Sequence, residues 1–387
     1  VLLALKGKII TTEKDALIQT LFKVNEASNW LSEKVVALKT CNAVEVHHAA
    51  YYELRERFGL PAAWACAVIR RVCNAYKRRK PKERFKKVIQ FKKFSSVDLR
   101  RDLFAFRGLD RIVITTVGHG RQLFPVEWGN YYAQRLKFVR KTAQLVYRKD
   151  LNSFFIVAYA EIEEQPTIVP TGWLGVDVGI KNVAVDSLGN FYGGEDLTLR
   201  RLHYKEKRRE LQKKKALKRK LGLDTHSIRR ALRRISRKEC NFAKTVLHTV
   251  SKRVVAAAKT LSLGIALEKL KGARERITAT ARRQSRYIYS CWSYYTLQQF
   301  IAYKARLNGV PVVFVSAKHT STTCPNCGYQ DKRNRKSQAE FKCYQCGYEA
   351  NADYVAALNI ALRAQGINPC PQMPSSFNPS LGQGRQF

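Results

Sequence analysis

The chain has 387 residues, with 71 Lys and Arg against 30 Asp and Glu, a net charge of +41. Self-repulsion at that charge destabilises a compact fold unless a polyanion neutralises it, which points to nucleic acid as the partner. A membrane role is disfavoured, because the longest purely apolar run is nine residues (61–69) and the opening VLLAL is too short for a signal peptide. With 45% hydrophobic residues the chain can fill real cores, and its length implies two or three domains.

Residues 1–10 read as a strand. Thr12 and Asp15 then form a capping box ahead of an amphipathic helix, in which Leu17, Leu21, Val24, Leu31, Val35 and Leu38 recur at steps of three and four across Ser28. Pro61 suits the first turn of another helix running to about Arg79. The stretch 77–93 holds ten basic residues and one acid. A charge run ordinarily marks a solvated face. Here Phe85 and Phe91 interleave with the charges, as on a surface that tracks a nucleic-acid backbone and offers stacking positions. Lys77, Arg78, Arg79, Lys80, Lys86 and Lys87 are its candidate contacts.

Segments 111–118, 123–128, 143–148 and 154–163 read as strands separated by turn signals such as Gly118-His119-Gly120. Together with residues 1–10 they predict a small antiparallel barrel (1–11 and 81–170) interrupted by a helical recognition insertion (12–80). Pro166 and Pro170 mark the boundary.

A new domain opens at Gly172 with two strands inside 173–192, joined by a tight turn at Ser187–Asn190. Residues 201–240 carry 17 basic residues against four acids and read as long helices joined near Gly222–Asp224. Phe242, Val246, Val250 and Val254 continue an i,i+4 stripe. Lys213, Lys214 and Lys215 on the first helix are candidate nucleic-acid contacts, as are Arg229, Arg230, Arg233 and Arg234 on the second. Residues 261–270 are a strand. The basic, polar stretch 271–290 lacks apolar periodicity and is expected to be mobile, either a lid beside Glu268 or a plain surface loop, with Arg276, Arg282 and Arg283 as further contacts. A helix at 292–308, a strand at 311–316 and a helix at 352–364 follow. The tail 366–387, rich in Pro, Gly and Ser, is expected to be disordered.

Cys324-Pro-Asn-Cys327 and Cys343-Tyr-Gln-Cys346 stand fifteen residues apart, the spacing of a tetrahedral structural zinc site. Gly328 and Gly347 follow the second thiol of each pair, where a positive φ lets backbone amides face the sulfurs. Two disulfides are the alternative. The other six cysteines (41, 66, 73, 240, 291 and 370) are scattered singly, as free thiols in a reducing cytosol would be, and this favours zinc.

Three carboxylates stand out. Asp177 interrupts an apolar strand, Glu268 ends another, and Asp353 opens a helix whose apolar face is Val355, Leu358 and Leu362. A turn amide, a strand-end salt bridge and an N-cap would explain them one at a time. Brought together, they would raise one another's pKa unless cations neutralised them. Two hard divalent ions about 4 Å apart do this, and can activate water against a phosphodiester.

At these residues the chain resembles a known family. GVDVGIKN (175–182), ALEKLKG (266–272) and DYVAALNI (353–360) are similar to the three RuvC motifs of the transposon-encoded TnpB (OrfB-type) nucleases, and VSAKHTSTTCPNCGY (315–329) is similar to their run into a zinc ribbon. The resemblance covers 172–364 well and the first 170 residues by architecture only. It implies an α/β fold: an RNase H-like (RuvC) nuclease domain (171–315 and 351–365) with a zinc-ribbon insertion (316–350), preceded by the β-barrel. It further implies Asp177, Glu268 and Asp353 as ligands of two Mg2+ ions, and Cys324, Cys327, Cys343 and Cys346 as ligands of one structural Zn2+. The implied partners are a guide RNA from the transposon end and double-stranded target DNA, cut beside a short adjacent motif and held as an RNA–DNA heteroduplex. One protein chain per RNA, in the prokaryotic cytoplasm or on the nucleoid, is expected. The segment around Asp353 departs from the family in the polar residues beside it, which bears on local substrate contacts only.

Compact type V CRISPR effectors share these motifs and are the first alternative. A guided repressor that grips DNA without cutting is the second, and the intact acidic trio argues against it. A sugar-kinase-like or actin-like ATPase is the third. DVGIKN echoes a phosphate-binding turn, but the other glycine-rich phosphate loops are missing and the charge would go unexplained.

Overall fold

The computed structural model describes residues 1–270 and 272–366, and the tail beyond 366 lies outside the described residues. The chain divides into two units, Val1–Ile162 and the residues from Glu163 onward.

In the first unit, β1 (Leu2–Ile9) leads into three helices, α1 (Asp15–Leu38), α2 (Ala43–Phe58) and α3 (Ala62–Lys77). The chain then returns through β2 (Val97–Arg100), β3 (Phe104–Arg107), β4 (Arg111–Thr116) and β5 (Gly120–Trp128). A short α4 (Asn130–Ala133) precedes β6 (Val139–Arg148) and β7 (Ser153–Glu161). All pairings are antiparallel, in the order β2-β6-β7-β1-β5-β4-β3, giving a near-closed, barrel-like sheet. The strand that opens the sequence is central, paired with β7 on one side and β5 on the other. The predicted apolar stripe of α1 is core as far as Val35, and its last member, Leu38, is exposed: Leu17, Leu21, Leu31 and Val35 are fully buried with Trp64, Val68 and Val72 of α3. The indole of Trp64 donates to the carbonyl of Thr115 at 2.8 Å, which pins α3 to β4.

Three local expectations change. Lys14 occupies the N-cap of α1 with no side-chain cap, so Thr12 and Asp15 form no capping box. The helix α2 was not anticipated. The run 77–93, expected to offer stacking positions on Phe85 and Phe91, is the last residue of α3, a short 3-10 turn (Pro81–Glu83) and loop. Its two phenylalanines turn inward. Phe85 stacks on the buried Tyr76 with ring centroids 5.9 Å apart, and Phe91 lies under the Arg71 guanidinium at 4.5 Å. They pack the core and are not free stacking platforms.

The second unit is built on β8 (Trp173–Asp177), β9 (Asn182–Asp186) and β10 (Phe191–Gly193), followed by the helical hairpin α5 (Glu195–Lys220) and α6 (His226–Thr260). Then come β11 (Gly264–Glu268), α7 (Ala273–Thr280), α8 (Arg283–Ser290), α9 (Tyr294–Leu307) and β12 (Val312–Val315). The ribbon strands β13 (Glu340–Lys342) and β14 (Glu349–Asn351) precede the last helix, α10 (Ala352–Ala364). The sheet order is β10-β9-β8-β11-β12, with β9 and β10 antiparallel and β11 and β12 parallel to β8. This is the RNase H-like arrangement expected, carrying the zinc-ribbon-like module between β12 and α10. One glycine sets its geometry. A Cβ on Gly175 would stand 2.0 Å from the carbonyl oxygen of Ala357, so α10 lies directly on β8 because that position has no side chain.

Residues 273–290 form two helices instead of the expected mobile stretch. Tyr287 explains α8. Its hydroxyl meets the Arg208 guanidinium of α5 and donates to Glu239 of α6 at 3.0 Å, while Arg208 also pairs with Glu239.

Candidate functional site

Parallel pairing brings the first two carboxylates together. Leu267 stands opposite Val176 in the register of β11 and β8, so Glu268 and Asp177 follow side by side at the C-terminal edge of the sheet. That edge is where open α/β sheets place their ligands. The helix α10, seated on β8 over Gly175, brings Asp353 to the same place in its first turn. Asn351, not Asp353, caps this helix: its side-chain oxygen accepts from the amides of Asp353 (2.9 Å) and Tyr354 (3.3 Å). The N-cap explanation of Asp353 therefore fails, and its carboxylate is free for other partners.

Those partners are polar and cationic. Asp353 accepts from the Asn182 amide at 3.1 Å and faces the Arg335 guanidinium at 3.5 Å. Glu268, 8% exposed, accepts from the Thr320 hydroxyl at 2.5 Å, and its backbone carbonyl takes the Gln298 amide at 2.8 Å. Asp177 keeps part of its surface open but is hemmed in by surrounding atoms. That desolvation, then the neighbouring carboxylates of Glu268 and Asp353, pushes its carboxyl up to about 8 against the opposing pull of Arg335. Burial likewise raises Glu268, with the Thr320 hydroxyl and Arg363 opposing.

Asp186 provides an internal control. It is fully buried in the same domain, yet it accepts from the amides of Leu188 and Asn190 at 3.0 and 2.9 Å and from the Tyr192 hydroxyl at 2.9 Å. A structural acid has its charge answered within the chain in this way. At Asp177 the Val178 amide and the pull of Arg335 do not offset burial and two like-charged neighbours, the chemistry of an oxygen donor set that wants a cation. The three acids do not offer one oxygen each within 4.8 Å of the others; among the described residues only the four cysteines form so tight a group.

The cysteines form a closed set. Cys324 Sγ and Cys346 Sγ are 3.7 Å apart, and Cys327 Sγ and Cys343 Sγ 3.5 Å, close to the edge of about 3.8 Å of a tetrahedron with zinc–sulfur bonds near 2.3 Å. Gly328 and Gly347 have φ of +75° and +73°, the left-handed turns expected of the two knuckles. Burial raises the Cys324 and Cys327 thiols, whereas hydrogen bonds led by the Tyr348 amide outweigh burial and lower Cys346 to about 7. Metal binding to this set would displace protons. None of the nine described cysteines is in a disulfide.

Of the basic candidates, Lys213, Lys214, Arg229, Arg230, Arg233 and Arg234 are exposed along the α5–α6 hairpin, while Lys215 is half-buried. Lys77, Arg78, Lys80, Lys86 and Lys87 are exposed in the first unit, and Arg79 folds back on Tyr76. Arg276, Arg282 and Arg283 are exposed on and between α7 and α8. Thr320, Arg335 and Asn182 were not singled out from the sequence. The first two lie in or beside the ribbon, 52 residues from Glu268 and 18 from Asp353, and no periodicity links them to the acids.

A family model described as the Cas12f1-like TNB domain matches residues 294–360. The CRISPR-associated endodeoxyribonuclease Cas12f1 of Sulfoacidibacillus thermotolerans is 43% identical over 126 residues, 32% of this chain and 28% of that protein. A TnpB-like protein of Methanocaldococcus jannaschii is 28% identical over 200 residues, 50% of this chain and 69% of that protein. The cryo-EM structure of a Cas12f1–sgRNA–target DNA complex shares the fold with a TM-score of 0.60 at 17% identity, over 91% of this chain and 83% of that one. The chain spans between 28% and 46% of the length of three Cas12f relatives that it matches.

Proposed function

This chain belongs to the TnpB family, relatives of the compact type V CRISPR effectors, and on that footing we propose that it is an RNA-guided, divalent-metal-dependent DNA endonuclease. The observation that carries the proposal is the approach of Asp177, Glu268 and Asp353 at one sheet edge, with Asp177 raised by burial first and by its acidic neighbours second. These three would hold two Mg2+ ions, which when bound activate water and stabilise the leaving oxygen of a phosphodiester. The chain's own contribution is positional. Asn182 and Arg335 fix Asp353, Thr320 fixes Glu268, and the guanidinium of Arg335 adds a permanent positive charge for a phosphate. The four cysteines would hold one zinc as a structural ligand set with no open position.

The exposed lysines and arginines of the α5–α6 hairpin and of 77–87 would grip guide RNA and the RNA–DNA heteroduplex by their backbones, leaving sequence reading to base pairing. Arg276, Arg282 and Arg283 would join them beside the site. The domain assignment that goes with this reading is a barrel (1–11 and 81–170), a recognition insertion (12–80), the nuclease domain (171–315 and 351–365) and the ribbon (316–350), acting as one protein chain per RNA. No helix among the described residues is long and apolar enough to cross a membrane. The prokaryotic cytoplasm, with nucleoid association through bound DNA, is the proposed location. A CRISPR effector is the second reading, favoured by the 43% identity to a Cas12f1 nuclease. Sequencing the RNA that copurifies with the protein, then offering DNA matching its variable end, tests both: a transposon-end RNA supports the first reading and a CRISPR-array RNA the second.

A further inference from the structure

Thr320 lies outside the acidic trio, yet its hydroxyl is the group that fixes one of them. Its Oγ1 donates to Glu268 Oε1 at 2.5 Å, in the range of a hydroxyl–carboxylate bond, and both residues are buried, at 4% and 8% exposure. Thr320 is itself held from two sides. Its carbonyl accepts from the Asn359 amide nitrogen at 2.7 Å, and the same nitrogen donates to the carbonyl of Thr323 at 2.8 Å. Asn359 is fully buried on α10, the helix that carries Asp353. On the other side, His319 adopts φ of +64°, a left-handed conformation uncommon for a residue with a side chain. Its carbonyl accepts from the Thr323 amide and hydroxyl at 3.1 and 2.8 Å, which fixes the turn between β12 and Cys324.

We propose that Thr320 is a positioning residue that commits Oε1 of Glu268 and leaves Oε2 as the oxygen that takes a divalent ion, so that the ribbon's entry turn and α10 together set the affinity of the catalytic metal site. This rests on the reading of Glu268 as a metal ligand. Any hydroxyl of the right reach would serve, and a methyl would not: the carboxylate would lose the one hydrogen-bond donor that the described residues give it and be free to rotate. Support of this kind changes metal affinity by about 10- to 100-fold.

The test is Mn2+ binding to the full zinc-loaded chain, followed by electron paramagnetic resonance, for the wild type, Thr320→Val, Thr320→Ala, Thr320→Ser and Glu268→Ala. The expected result is loss of the high-affinity Mn2+ in Glu268→Ala, weakening by about 10- to 100-fold in Thr320→Val and Thr320→Ala, and recovery to within about threefold in Thr320→Ser. Guide RNA binding and zinc content should stay at wild-type values, and Thr320→Ala carries the comparison if the valine disturbs the turn. Wild-type Mn2+ affinity in both Thr320→Val and Thr320→Ala, or failure of Thr320→Ser to recover it, overturns the role of Thr320 while leaving Glu268 as a ligand. Wild-type affinity in Glu268→Ala overturns the metal site itself, and the inference with it.

Discussion

Replacing Asp177 with Asn should make the protein more stable in the absence of Mg2+ while removing the nuclease activity proposed for it. The carboxyl moves from its ordinary value of 3.8 to about 8 in the folded chain. Between these values the unfolded chain has released its proton and the folded chain still holds it. Stability contributed by this group is therefore complete below about pH 4 and is lost as pH rises through 8. At pH 7 the gap realised is about 3 pH units, an upper limit of about 4 kcal/mol at 1.36 kcal/mol per unit. Asp177 keeps part of its surface open, and screening roughly halves this to about 2 kcal/mol. Asn cannot ionise, so Asp177→Asn should gain about 2 kcal/mol at pH 7 and almost nothing at pH 4. Guanidinium unfolding of the zinc-loaded chain, without Mg2+ or Mn2+ and followed through Trp173 and Trp292 fluorescence, measures the difference. Adding Mg2+ should then stabilise the wild type and leave Asp177→Asn unchanged. Equal stability of the two proteins at pH 7, with the same slope against pH, would refute the burial and crowding of charge at this site.

Three further outcomes follow from the geometry. Cys324→Ser and Cys346→Ser should each lose the zinc proposed for the four cysteines, read by elemental analysis, and with it the protection of ribbon amides from hydrogen exchange. Changing Lys213, Lys214, Arg229 and Arg230 together to Gln should weaken all guides alike and reduce the slope of log affinity against log salt by about 3 to 4, since each phosphate contact contributes about 0.7 to 0.9. Arg335→Ala should slow cleavage about 100-fold, as loss of one fixed charge-stabilising group does, with target binding unchanged in a filter or mobility assay.

What the sequence made legible follows from spacing. The two Cys-x-x-Cys knuckles, the stripe of α1 and the strands ending in Asp177 and Glu268 all declare themselves by local pattern, and the structure gives the knuckles and strands the form expected. The misses have local causes too. The helix α2 buries only Val46, Ala50 and Leu54, a stripe one residue wide among charges and histidines. The strands β2 and β3 are four residues long, too short for alternation to show. The helix α8 is only eight residues long and is held by a polar tie, Tyr287 with Arg208 and Glu239, that no local pattern shows. Phe85 and Phe91 sit among lysines in sequence but against Tyr76 and Arg71 in space. Thr320 and Arg335 reach the acids through the ribbon's tertiary placement, which no local pattern encodes.

The central claim is that this chain cuts DNA chosen by an RNA, through Asp177, Glu268 and Asp353. The most direct measurement is cleavage of a DNA duplex matching the copurified RNA, with Mg2+, by the wild type and by Asp353→Ala, with target binding measured on the same samples. Cutting by the wild type only, with equal binding by both, is the predicted result. Cutting by Asp353→Ala at a rate near wild type, or wild-type cutting indifferent to a match with the RNA, would contradict it.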